Sequence, residues 1–293
     1  MSSEKHNKHI DDVTGVETTG HVWDDDLREL NKPLPKWWLW VLYATIVWAV
    51  GYWIVYPAWP TLTGYTKGYL GYSQRAQVSE DVSEAKAAQE KYRQEIAKTE
   101  ISSIKKNQQL FEFALSGGAA AFGDNCSGCH GRGAQGANGY PNLNDDDWLW
   151  GGTLQQVEHT IFYGVRSGHE QARNSAMPRF GLDGILEKAQ ISDLANYVRS
   201  LSGLDVDKAA VLRGQALFAE QCVACHGENA KGNQELGAPN LTDAIWLYGN
   251  TPDAVRHTIT TGRGGAMPAW GFRLDPVTVK MLALYVHSLG GGQ

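Results

Sequence analysis

The sequence predicts a mostly α-helical protein: one N-terminal transmembrane helix, then two tandem copies of one small helical domain. Three observations predict it. An uncharged run of 20 residues lies near the N-terminus, a C-x-x-C-H motif occurs twice, and the residues around the two motifs recur in the same order. The 293 residues suffice for about two domains of ordinary size. Apolar residues at 42% and charged residues at 20% suit a folded chain. The net charge of -6, with no basic stripe interleaved with aromatics, argues against nucleic-acid binding.

The uncharged run, Trp37 to Tyr56, matches the length a helix needs to cross a ~30 Å hydrocarbon core. Trp37, Trp38 and Trp40 sit at one end and Tyr56 and Trp59 at the other, as interfacial aromatics do. Pro33 and Pro35 precede the run and Pro57 and Pro60 follow it, so the transmembrane helix is placed at 37–57. A cleaved signal would be shorter, nearer the start and closed by small residues, which Tyr56-Pro57-Ala58-Trp59 are not. Arg28, Lys32 and Lys36 before the span outnumber Lys67 and Arg75 after it, a weak bias towards a cytoplasmic N-terminus.

Residues 1–36 read as a flexible cytoplasmic tail with an acidic patch, Asp24-Asp25-Asp26, and with His6, His9 and His21 solvated. Residues 58–107 read as a linker. Its Gly- and Tyr-rich start is an irregular exit from the span. Its later part is a spacer helix with a thin apolar stripe of Val78, Val82, Ala85, Tyr92 and Ile96. That stripe is expected to pack on the chain's own following domain rather than on a partner.

The two copies are placed at 108–202 and 203–293. Around Cys126-Ser127-Gly128-Cys129-His130 and Cys222-Val223-Ala224-Cys225-His226 the same residues recur: Pro141-Asn142-Leu143 as Pro239-Asn240-Leu241, Trp148 as Trp246, His159 as His257, Ala176-Met177-Pro178 as Ala266-Met267-Pro268, Gly181 as Gly271 and Tyr197 as Tyr285. Before each motif a glycine and an aromatic stand four apart on one helix face, Gly118 with Phe122 and Gly214 with Phe218. The small residue admits a close helix, expected to be the last helix of the same copy, carrying Tyr197 or Tyr285. Only Ser202 to Asp207 separates the copies, so they are expected side by side.

C-x-x-C-H is the attachment signal for c-type haem. Two thiols three residues apart reach both vinyl groups of one ring, and the adjacent histidine then lies under the iron. A zinc site would want further paired ligands, and a thiol redox pair needs no fixed histidine. All four cysteines fall in the two motifs, so two covalently bound haem c groups are expected, held at Cys126, Cys129 and His130 and at Cys222, Cys225 and His226. Each copy is then a class I cytochrome c domain in which haem supplies much of the core. Of the four methionines, Met281 reads as core and Met1 is the start; Met177 and Met267 recur in matched loops, 47 residues after His130 and 41 after His226. They are the candidate sixth ligands, each assigned to the haem of its own copy, with exchange between the adjacent domains left open. With His130, Met177, His226 and Met267 on the irons neither presents an open position, which points to electron transfer rather than catalysis by this chain.

His159, His257, Arg166 and Arg263 are candidates for haem propionates and equally for ordinary half-exposed positions. Trp148 and Trp246 read as pocket walls. Asp145-Asp146-Asp147 reads as a solvated turn, with docking of a basic cytochrome as the rival reading. Haem c attachment in bacteria takes place outside the cytoplasmic membrane, which puts both haem domains in the periplasm and the single span in the inner membrane.

Trp23-Asp24-Asp25-Asp26-Leu27, then Leu30-Asn31-Lys32-Pro33-Leu34-Pro35-Lys36-Trp37-Trp38, ahead of one span and two haem motifs, resembles the CcoP/FixP di-haem subunit family of cbb3-type cytochrome c oxidases. The resemblance covers almost the whole chain. It implies a subunit of an oxygen-reducing, proton-pumping respiratory enzyme. That subunit takes electrons from donor c-type cytochromes and passes them to a mono-haem c subunit, then to a catalytic subunit with b-type haems and copper, beside a small accessory subunit. It also implies the ligand set named above. Two rival functions stay open: a membrane-bound di-haem wire serving a periplasmic dehydrogenase, and a di-haem peroxidase-like enzyme, which would need one iron with an accessible site.

Overall fold

The computed structural model describes residues 9–290, and the chain divides into two compact units, Met1–Ala87 and Ala88–Gln293. Met1 and His6 lie outside the described residues.

In the first unit β1 (Thr18–Trp23) pairs antiparallel with β2 (Leu27–Leu30). The acidic patch is the turn of this hairpin: Asp24 and Asp25 take left-handed φ values of 48° and 67°, which Asp tolerates better than most residues. The expectation of an unstructured tail is therefore corrected for these residues; a short polar run without apolar periodicity hid a two-stranded ribbon. His21 is exposed, as expected, and stacks on Trp23. α1 (Lys36–Val55) follows Pro35, and none of its residues is buried within the chain. Its 20 residues span about 30 Å, with a mean hydropathy of 1.6 over its most apolar stretch. Beyond it, β3 (Pro60–Thr61) and β4 (Gly64–Tyr65) form a small ribbon. The segment then turns back, and the Tyr69 and Leu70 amides donate to the Ile54 and Val55 carbonyls, two of the acceptors that a helix end leaves without partners.

α2 (Gln74–Lys98) and α3 (Ile101–Ile104) lead to the second unit's main helices: α4 (Gln108–Asn125), α5 (Ser127–His130), α6 (Leu154–Tyr163), α7 (Lys188–Leu201), α8 (Lys208–Gln221), α9 (Val223–His226), α10 (Pro252–Thr261) and α11 (Pro276–Leu289). Local sequence explains their starts. Thr153 and Gln156 form a capping box on α6, and Thr251 and Asp275 cap α10 and α11, each ahead of a proline in the first turn.

Two cores form here, and neither coincides with a sequence copy. The first gathers Leu110, Ala114 and Phe122 of α4, Leu154, Val157 and Ile161 of α6, and Val279, Met281, Leu282, Leu284 and Val286 of α11. The second gathers Ile191, Leu194 and Val198 of α7, Phe218 of α8, and Val255 and Ile259 of α10. The last helix of each copy has crossed to the other. A Cβ on Gly118 would stand 2.3 Å from the Met281 carbonyl oxygen and 2.7 Å from Tyr285 Cβ; one on Gly214 would stand 2.3 Å from the Asp193 oxygen and 2.8 Å from Tyr197 Cβ. Close approach at the two glycines holds as expected, but the partners are exchanged: Tyr285 serves the first copy and Tyr197 the second. The physical reason is the short connector. Helices joined by a few residues pack as an antiparallel hairpin, so α7 takes α8 as its neighbour. The spacer stripe is half used: Tyr92 and Ile96 join the first core while Val78 and Val82 stay exposed. Met281 is core, as read from sequence.

Magnitudes show what holds the exchange. Each large apolar side chain that α11 buries is worth about 1.5–3 kcal/mol, against about 1 kcal/mol for a backbone hydrogen bond between the copies. Burial supplies the stability and the hydrogen bonds set the register. Cleavage of the holoprotein at a protease site inserted after Gly203 should therefore leave the two pieces together on gel filtration in detergent. Separation of a haem-bearing C-terminal piece would mean that the copies fold independently.

Candidate haem sites

Each C-x-x-C-H run sits where a long helix ends. Cys126 ends α4, and its carbonyl accepts from the Cys129 amide at 3.1 Å and the His130 amide at 3.0 Å. Cys222 ends α8, and the Cys225 and His226 amides donate to it at 3.1 and 2.9 Å. One turn of helix thus places both thiols and the imidazole on one short rung. A glycine with positive φ, Gly131 at 80° or Gly227 at 77°, then turns the chain away.

The repeated Pro-Asn-Leu segments, to which sequence reasoning gave no role, support the histidines. His130 Nδ1 donates to the Pro141 carbonyl at 2.9 Å, and His226 Nδ1 to the Pro239 carbonyl at 3.0 Å. Each bond fixes the tautomer, leaving Nε2 as the free ligand nitrogen. Burial pushes the His226 pKa below its usual value, with the Pro239 bond opposing, which favours the neutral imidazole that iron binds. The signal was present as an unexplained repeat 11 and 13 residues after the histidines.

The second site opens into a cavity of about 810 Å³, within the ~300–1,000 Å³ range of cofactor pockets. Cys222, Cys225 and His226 line it together with Met177, Phe180, Leu194, Val198 and Trp246. In the first site Met267, Cys126, Leu143 and Trp148 pack on the first core. The methionines have therefore crossed with their helices: Met177 of the first copy stands with the second motif, and Met267 with the first. This placement departs from the own-copy assignment and follows the exchange that the sequence left open, and two sets of backbone pairs hold it. The Met177 amide donates to the Arg263 carbonyl at 2.8 Å, and Met267 and Val165 exchange bonds at 2.8 and 3.0 Å. Further on, Gly181 and Leu182 bond the Thr260 carbonyl, while Trp270 and Gly271 bond Ile161 and Phe162.

Burial pushes the Cys126 and Cys222 thiols up to about 11, with the second cysteine of each pair adding to it. Among the described residues no group of three or more His, Cys, Asp or Glu could hold a metal ion, which weakens the zinc reading of the motif. At the second site two half-buried thiols, a carbonyl-supported imidazole and a thioether in one cavity fit haem c.

Comparison with known proteins agrees. Residues 15–63 match the family described as the N-terminal domain of cytochrome oxidase-cbb3, FixP. Residues 115–202 match cytochrome c, and 209–286 match cytochrome c oxidase, cbb3-type, subunit III. The chain is 55% identical to the cbb3-type cytochrome c oxidase subunit FixP of Bradyrhizobium sp. (strain ORS 278), over 98% of this chain and 99% of that protein. It is 53% identical to FixP of Azorhizobium caulinodans, over 100% and 99%, and 50% identical to the subunit CcoP of Azospirillum brasilense, over 98% and 99%. The chain belongs to the FixP/CcoP family of cbb3-type cytochrome c oxidase subunits. Its two cytochrome c domains, matched in sequence order, share helices across the repeat boundary.

In this FixP/CcoP-type chain the remaining candidates sort unevenly. Arg166 and Arg263 both line the cavity, whereas His159 does not and His257 is exposed. His159 Nε2 donates to the Gln171 carbonyl. Trp246 is a cavity wall as expected. Asp145 and Asp147 also line the cavity, together with Asp243 of the other copy, so the solvated-turn reading holds for Asp146 alone. Burial, then the Asp243 charge, then that of Asp145, push Asp147 up to about 6. With its folded pKa above the unfolded value, Asp147 contributes stability that is complete below about pH 4 and lost as the pH rises through about 6. Asp147→Asn should raise the Tm of the holoprotein more at pH 7.5 than at pH 4.5; an equal shift at both would mean that the folded protein does not raise the Asp147 pKa.

Proposed function

We propose that this chain is the electron-carrying di-haem subunit of a cbb3-type cytochrome c oxidase. It takes electrons from a donor c-type cytochrome and delivers them through a mono-haem c subunit to the catalytic subunit with its b-type haems and copper, beside a small accessory subunit. The observation that carries the reading is the pairing of each cysteine–histidine wall with a methionine. The second cavity holds Cys222, Cys225 and His226 with Met177, and the first core holds Cys126 with Met267. Two such sites correspond to two haem c groups.

Haem c, once attached, supplies an iron that cycles between Fe(II) and Fe(III). The chain's own groups do the rest. Cys126 and Cys129, and Cys222 and Cys225, hold the ring covalently. His130 and His226 would bind the iron through Nε2, their rings steadied by the Pro141 and Pro239 carbonyls. Met267 completes the first site and Met177 the second; a thioether favours the ferrous state and raises the potential. With a histidine and a methionine available to the iron at each site, no position at the metal would be left for a substrate. That supports a carrier without catalysis of its own and disfavours a peroxidase.

α1, the one helix among the described residues that is long and apolar enough to cross a membrane, would be the anchor. The charge excess before it and the export needed for haem attachment support a cytoplasmic N-terminal segment, periplasmic haem sites and residence in the bacterial inner membrane.

Gentle solubilisation from native membranes should bring down b-type haem, copper and a third c-type haem in stoichiometric amounts. Two c-type haems beside a dehydrogenase alone would make the oxidase assignment wrong. In NMR spectra of the reduced holoprotein, the ring-current-shifted methyl of Met177 should show Overhauser contacts to the haem on Cys222. Contacts to the haem on Cys126 would restore own-copy ligation.

A further inference from the structure

The two copies differ most in length between the end of α6 and their methionines. There the first copy carries a longer loop than the Gly262-to-Met267 stretch that answers to it. This loop is folded tightly. The Arg166 amide donates to the Arg173 carbonyl at 2.7 Å, and the Arg173 amide to the Gly164 carbonyl at 3.1 Å. Ser167 Oγ donates to the Tyr163 carbonyl at 2.6 Å, and the His169 ring lies between Tyr163 and Phe272, with centroids at 4.9 and 5.2 Å. The closure holds Arg166 at a φ of 49°, a left-handed conformation that a long side chain adopts only when its surroundings impose it.

That conformation delivers the guanidinium between the two methionine loops. Arg166 Nε donates to the Gly265 carbonyl at 2.7 Å, and Nη1 donates to the Ser175 carbonyl. Ser175 stands two residues before Met177, and Gly265 two residues before Met267. The matched arginine does nothing comparable. Arg263 spends Nε and Nη2 on Thr258 Oγ1 within its own copy and stacks on Tyr248, 3.9 Å from the ring centroid. We infer that Arg166 is a positioning residue common to both haem sites, bracing the Met177 and Met267 loops against each other so that the sixth ligand of one haem cannot loosen without the other. The inference rests on the methionine ligation proposed above. It also gives the extra loop of the first copy a physical role.

A guanidinium suits the task because its donors are fixed in one plane and can serve two carbonyls at once, where an ammonium is a compact point charge. Arg166→Gln removes both fork and charge; Arg166→Lys keeps the charge and loses the fork.

The test uses the full chain with both haems attached. It reads the Met-to-iron charge-transfer band of the ferric protein, the two shifted methionine methyl signals of the ferrous protein, and carbon monoxide binding. Wild type should show a band worth two haems, two methyl signals and no rapid carbon monoxide uptake. Arg166→Lys and Arg166→Gln should lose roughly half of the band or more, disturb both methyl signals together and admit carbon monoxide at both haems. Arg213→Gln, which removes an exposed ion pair with Asp193, should behave as wild type. Helix content and haem content check folding, and Arg166→Lys decides the matter if the glutamine variant does not accumulate. Disturbance of one methyl signal only, or of neither, overturns the brace while leaving ligation intact. A wild-type band and methyl signals absent from the outset would overturn the ligation reading itself, and the brace with it.

Discussion

A Cβ at position 164 would stand 2.4 Å from the Met267 carbonyl oxygen, and one at position 262 would stand 2.4 Å from the Met177 oxygen. Glycine at both places lets each copy's methionine strand lie directly on the loop of the other. The rest of the C-terminal half depends on that approach. Once the strands cross, the segments after them dock on the far helices, α7 closes the second core and α11 the first, so that Met177 shares a cavity with His226 and Met267 packs on the core that holds Cys126. No single bond here is strong. The arrangement holds because backbone pairing, two helix-on-glycine contacts and two buried apolar faces all require the same crossing.

The crossing makes the two sites structurally interdependent. In two independent domains, a change in one pocket would reach the other only through a thin interface. Here each pocket has one wall from each copy, and the carboxylates that border the second cavity come from both as well.

Much of this was legible in the sequence because its chemistry is local. The span is a matter of length and charge, the haem sites follow from thiol and imidazole spacing, and the methionines stand out by recurring in matched loops. Even the close helix contacts announce themselves as a glycine and an aromatic four residues apart. What the sequence pattern left undecided is which of two nearly identical partners each helix takes. Tyr197 and Tyr285 both fit Gly118 and Gly214 by the same local rules, so repetition, which makes the motifs readable, makes the pairing ambiguous. The short Ser202–Asp207 connector carried the deciding information, as a preference for sequential helices to pack together. The hairpin at residues 18–30 was hidden for a different reason: two short strands with one polar face leave little periodicity to read.

Crossing also changes the order in which the protein can be finished. The second core draws on one continuous stretch, from the Met177 loop through α10, whereas the first needs α4 and α6 from before that stretch and α11 from after it. One cytochrome is thus nested inside the other. A chain that emerges N-terminus first presents Cys126 and Cys129 early but cannot close the pocket around them until residue 289 has followed. The inner cytochrome can be complete while the outer one is still open. The first pair of cysteines therefore stays accessible for the longest time, and α11 is the latch that closes the core beside them.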